Sequence, residues 1–223
     1  RQCTNKDAQR PRLVYISNSS HVTLQDVHIQ NSPFWTNHIY RCHHVRFLGC
    51  TIFAPTSGMK APSSDAIDID VCHDVLVDGC EMSVNDDAIA IKGGKGTWAD
   101  QAPENGSVYN VLIQNCHYGT VHGCLTLGSE SVKDRNIVLR NIKVDKAQRV
   151  LWLKMRPDTP QHYEYVTVDN IQGTTGSFLV IRPWTQFFKP GDRKDMPLSQ
   201  CNNITMKNIQ MDCDNFFDVA KSE

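Results

Sequence analysis

Residues 22–29 alternate apolar and polar positions about a single turn former. Val22, Leu24, Val27 and Ile29 are the apolar members, and Asp26 sits at the break. The same pattern returns with anchors at Val45, Val75, Val111, Ile137, Val166 and Ile204. Aligned on the anchor, the fifth position is Asp26, Gly49, Gly79, Asn115, Asn141, Asn170 and Asn208. All are residue types that tolerate the left-handed backbone a sharp bend needs. The sixth is Val27, Cys50, Cys80, Cys116, Ile142, Ile171 and Ile209, compact and apolar throughout. A period of two gives one face to the core and one to solvent. Each copy therefore predicts a strand, a one-residue corner and a second strand.

A third strand is legible in four successive copies, at residues 65–70, 87–92, 123–128 and 149–154, whose apolar columns register without gaps. The copies recur about every 20 to 40 residues, the period of a solenoid, and no stretch between them reads as a helix of ordinary length. Stacking such copies gives parallel sheets with ladders of like residues. The expected fold is all-β: a right-handed, single-stranded parallel β-helix over residues 1–223. The chain opens on Arg1 with no leader pattern, and it is expected to be an internal fragment of a longer catalytic domain.

Charge excludes several partners. The net charge is −1, so no bulk field is available to hold nucleic acid or an anionic membrane. No apolar run is long enough to span a bilayer, and a monomer is expected. The nine cysteines include no C-x-x-C pair, which argues against structural zinc. Cys50, Cys80 and Cys116 share one column, and Cys42, Cys72 and Cys201 another, so they are read as buried free thiols filling the core. His21, His28, His38, His43 and His44 fall at differing strand positions and are read as surface residues.

The register of the third strand assembles chemistry. Asp65 aligns with Asp87, Asp86 lies just before it, and His122 aligns with Asp86 one coil on. Lys92 and Lys154 align at the far end of the strand. Consecutive coils lie roughly 4.8 Å apart, and like charges stacked at that spacing repel. Such a cluster is unfavourable for stability and useful for splitting carboxyl pKa values between an acid and a base. Glycoside hydrolysis needs such a pair, one carboxyl to protonate the departing oxygen and one to activate water.

Ser63-Ser64-Asp65, Asn85-Asp86-Asp87, Val121-His122-Gly123 and Trp152-Leu153-Lys154 fall in that order on successive coils. They resemble the Asn-Thr-Asp, Gly-Asp-Asp, Gly-His-Gly and Arg-Ile-Lys segments of the polygalacturonase family, glycoside hydrolase family 28. The resemblance extends from about Arg12 onward. It implies an inverting hydrolase of an acidic plant polysaccharide, secreted or periplasmic, with no metal or cofactor. Asp86 would be the general acid, Asp65 and Asp87 would hold and activate the water, and His122 would support the acid. Lys92 and Lys154 would contact the sugar.

One departure bears on substrate. Trp152 stands where the family has Arg, and indole lacks the fork of donors that suits a carboxylate. Arg156 or Arg149 can supply that charge from nearby, or Trp152 can stack on a sugar face, which brings rhamnogalacturonan into consideration beside polygalacturonate. Trp35, Trp98, Trp184, Phe187 and Phe188 are further candidates to line a cleft, Trp98 within a glycine-rich insertion at 93–100. Two other functions fit the fold. A pectate-lyase-like enzyme would use calcium and a basic proton acceptor. A non-catalytic carbohydrate-binding β-helix would have no reason to keep the aspartate–histidine register.

Overall fold

A computed structural model describes residues 10–189 and 191–221. After β1 (Val14–Ser17) the chain winds coil after coil. The first is β2 (Thr23–Gln25), β3 (His28–Gln30) and β4 (Asn37–Tyr40). Next come β5 (His43–Leu48), β6 (Thr51–Phe53) and β7 (Ile67–Asp70), then β8 (His73–Asp78), β9 (Glu81–Ser83) and β10 (Ile89–Lys92). β11 (Ser107–Gln114) leads into β12 (His117–Leu127), which turns a corner. β13 (Lys133–Met155), β14 (His162–Pro183) and β15 (Gln200–Val219) each bend around all three faces. Among the described residues there is no helix, and the strands pair in parallel. The fold is a right-handed parallel β-helix.

The anchors stack as the alternation requires: Val45 on Val75, Val75 on Val111, then Ile137, Val166 and Ile204. Their side chains and those two residues on form a continuous apolar column inside the coil. Cys42, Cys50, Cys72, Cys80, Cys116 and Cys124 are buried as free thiols. The Cys42 N–H donates to Cys72 Sγ at 3.2 Å.

Every fifth-position residue has a left-handed φ, from 52° at Asp26 to 65° at Gly79, with the four asparagines at 55°. A second left-handed corner lies immediately before each anchor, at His21, His44, Asp74, Asn110, Asn136, Tyr165 and Asn203. The sequence pattern did not reveal it, because those residues share no type. Corner asparagines also join neighbouring coils. Asn141 Nδ2 donates to Asn115 Oδ1 and Asn170 Nδ2 to Asn141 Oδ1, each at 3.0 Å. The tolerance of Asn for this conformation and its ability to bond its own kind one coil away explain its recurrence.

Candidate active site

β7, β10 and the last strands of β12 and β13 lie side by side, with Ile67, Ile89, Leu125 and Leu151 in one row. The residues two places upstream are carried into register with them. Ala66 N–H donates to Asp87 O at 2.9 Å, and His122 N–H donates to Asp86 O at 2.9 Å. One carboxylate oxygen from each of Asp65, Asp86 and Asp87 lies within 4.8 Å of the others. Asp65 and Asp87 are buried, while the Asp86 side chain is 25% exposed. His122 Nδ1 stands 3.5 Å from Asp86 Oδ1.

Local hydrogen bonds set this arrangement. Ser64 Oγ accepts from the Asn85 N–H at 3.1 Å, and Asn85 Nδ2 donates to Ala61 O at 2.9 Å. These bonds tie together the two turns that deliver the aspartates. Asp87 N–H donates to Asp86 Oδ1 at 3.1 Å, fixing one carboxyl against the next. Gly123 follows His122 for a steric reason: a Cβ there would lie 2.6 Å from Asp87 Oδ1 and 2.2 Å from Thr126 Oγ1.

The carboxyls are not equivalent. Burial first, then the charges of Asp86 and Asp68, push Asp65 well above the ordinary carboxyl range. Burial also opposes ionisation of Asp86, but His122, Lys154 and Lys92 outweigh it, and Asp86 is held below that range. Lys154 Nζ donates to Asp87 Oδ2 at 3.0 Å. Lys92 is buried, donates to Gly128 O at 3.2 Å and meets Glu130 Oε2 at 3.3 Å. Asp68, in β7 three residues after Asp65, is wholly buried. It too is pushed well above the ordinary range, chiefly by burial.

The family model of glycosyl hydrolases family 28 matches residues 1–172. The chain belongs to glycosyl hydrolase family 28. A polygalacturonase of Chamaecyparis obtusa is 25% identical over 171 residues, which cover 74% of this chain and 30% of that protein. An endo-polygalacturonase of Pectobacterium carotovorum subsp. carotovorum is 30% identical over 139 residues, 59% of this chain and 30% of that one. Among solved structures, the polygalacturonase from Erwinia carotovora ssp. carotovora shares the fold at TM-score 0.73 and 20% identity. That match covers 95% of this chain and 60% of the other. The chain spans about a third or less of the curated relatives it matches.

Against the family pattern, the structure separates the candidates for the missing arginine. Arg156 does not reach the cleft as a free cation. Its guanidinium is 1% exposed and holds Asp158 with two bonds, of 2.7 and 2.8 Å, and it also donates to Gln186 O and Phe187 O. The expected sugar contact is therefore corrected to a structural clamp on the loop after β14. Arg149 is in register with Gly123, and its Cζ lies 3.8 Å from the Trp152 ring centroid. Lys154 Nζ sits over the same ring at 4.0 Å and over Trp184 at 4.7 Å.

A cleft of about 510 Å³ collects Asp65, Asp86, His122, Lys92, Lys154, Trp152, Arg149 and Trp184, with Trp35 and Phe187 on its walls. A second cavity, of about 620 Å³, adjoins it and shares Trp35, Lys92 and Glu130. It is the larger of the two, but Asp65 and Asp86 of the carboxylate cluster line the first. The insertion after β10 walls the second cavity with Trp98, whose ring is covered by Arg193 at 4.7 Å. His38 is a further correction to the surface reading: it is buried, with Nε2 3.0 Å from Asp70 Oδ2. Asp68 and Glu130 escaped the sequence reading. Asp68 had a signal, since strand alternation places it on the outward face, but its burial follows from what packs above it.

Proposed function

We propose that the protein hydrolyses glycosidic bonds of a pectic polysaccharide by an inverting acid/base mechanism. The observation that carries this reading is the trio of aspartates within 4.8 Å, of which Asp65 and Asp86 line a cleft walled by cations and indoles and Asp87 lies buried just beneath them. Asp86, the exposed member, gives its proton to the departing glycosidic oxygen as the bond to the anomeric carbon breaks. Asp87, its charge balanced by Lys154, takes a proton from the water whose oxygen bonds to that carbon. Asp65 holds the water. One water is consumed, and the proton returns from base to acid before the next turnover. An acidic wall polymer as substrate places the enzyme outside the cytoplasm.

A calcium-dependent lyase is the less fitting reading. Hard divalent cations need many oxygen ligands, whereas here Asp87 is already paired with Lys154 and a second ammonium, Lys92, stands nearby on Glu130. A purely binding β-helix gains nothing from three crowded carboxyls. Incubation of the intact protein with polygalacturonate and with rhamnogalacturonan separates these options. New reducing ends without ultraviolet absorbance, unchanged by EDTA, with the α-linked substrate yielding the β anomer first by proton NMR, are the expected result. Absorbance from a new double bond makes the enzyme a lyase. Retained configuration removes the inverting step.

The electrostatics also predict a split in pH profile. Asp86 works as an acid only while protonated, and in the free site its pKa is depressed. As pH rises through that value the acid is lost, so kcat/KM falls on its basic limb. A bound substrate carboxylate screens Lys154 and adds negative charge, which raises the Asp86 pKa in the complex. The basic limb of kcat is therefore expected at higher pH than that of kcat/KM. Coincident limbs, or a limb of kcat at lower pH, would count against Asp86 as the acid.

A further inference from the structure

We infer that Trp152 is a platform that aims Arg149 into the cleft, and that Arg149 and Lys154 together receive the carboxylate of an unesterified uronate beside the scissile bond. This deepens the hydrolase reading and rests on it for the position of the bond.

The register places Arg149 first. Its backbone pairs with Gly123, whose neighbour across the sheet is Asp87. Arg149 therefore emerges in the column of the catalytic carboxyls, about 10 Å from Asp87 by two strand spacings. Stacking fixes it next. A guanidinium lying on an indole uses its flat face, and its N–H donors point outward in the plane. At 3.8 Å from the Trp152 centroid, the fork is held without being consumed. Its one side-chain hydrogen bond is Nη1 to Gln148 Oε1 at 3.0 Å, an exposed neutral amide that a ligand can displace.

Among the described arginines, Arg149 is the one that lines this cleft. Arg156 and Arg182, close to it in the chain, are paired with Asp158 and Asp218. Among the described residues, no carboxylate forms an ion pair with Arg149, although its side chain is half-buried beside the cleft. A partly desolvated guanidinium without a contact ion pair is what an incoming carboxylate would neutralise, in the bidentate geometry that arginine favours. Lys154 stands over the other part of the same platform. One of its three donors is committed to Asp87, leaving two for the ligand. Methyl esterification would remove the charge and one acceptor. A neutral sugar would leave Arg149 unpaired.

Calorimetry with a de-esterified oligogalacturonide and with its methyl ester tests this apart from catalysis. The intact protein carrying Asp86→Asn serves as background, so the ligand survives. The acid form is expected to bind more tightly than the ester, and Arg149→Gln to weaken the acid form about 10- to 100-fold while scarcely changing the ester. Arg149→Lys should recover part of the loss, and Trp152→Leu should weaken binding as the platform goes. Thermal melts confirm that each variant is folded. Unchanged affinity for the acid in Arg149→Gln, or an equal loss for both ligands, overturns the proposal. If the wild-type protein binds the acid through Arg149 yet hydrolyses no pectic polymer, the hydrolase reading fails and the receptor stands.

Discussion

Asp86→Asn is expected to lower kcat by roughly 100- to 10,000-fold, the range ordinarily supplied by a positioned general acid. Asn matches Asp in shape and keeps the bonds that shape the site. Its side-chain oxygen can still accept the Asp87 N–H, and the backbone carbonyl still accepts the His122 N–H. What disappears is the transferable proton. Because the side chain is partly exposed, no buried charge is stranded, and the melting temperature should stay close to wild type. KM should change little, since the proposed sugar contacts are Arg149, Lys154 and the aromatic walls, none of them altered. Reducing-end assays on polygalacturonate measure the loss. A folded variant that keeps more than about a tenth of the wild-type kcat would remove Asp86 from the acid role.

Arg156→Leu should instead act on stability, by about 3–5 kcal/mol, the usual cost of removing one partner from a buried ion pair. The reason is the fate of Asp158, which is 2% exposed and keeps only Thr159 and the Lys189 N–H as donors once the guanidinium is gone. The same change releases Gln186 O and Phe187 O, loosening the loop that carries Trp184 and Phe187 to the cleft. Denaturant unfolding gives the magnitude. The double variant Arg156→Leu, Asp158→Leu should recover much of the stability, because replacing both charges with apolar groups removes the stranded carboxylate. A substrate-binding role for Arg156 predicts no such rescue: activity would stay low however stable the double variant became.

These two arginines show how far a linear reading reaches. Arg149 and Arg156 flank the same departure from the family pattern, and by spacing alone either could replace the missing guanidinium. Asp158 is only two residues from Arg156, yet whether that pair is buried depends on the loop after β14 folding down over it. Lys189 N–H donates to Asp158, and Phe187 O accepts from Arg156. The path of that loop has no period. Asp68 makes the same point from within a strand: alternation puts it outward, and the neighbouring coils then bury it. His38 was missed likewise, because its partner Asp70 belongs to the next coil.

The sequence by itself determined the coil, the left-handed corner after each anchor, the free-thiol columns and the alignment of Asp65, Asp86, Asp87 and His122. Those features repeat: a period of two chooses the buried face, and a corner residue either tolerates a positive φ or does not. The tertiary structure alone decided which charges are spent and which are available. Ion pairing and desolvation act through space across neighbouring coils and aperiodic loops, so two cations a few residues apart meet opposite fates. Arg156 is locked beneath a loop, and Arg149 lies on an indole and lines the cleft.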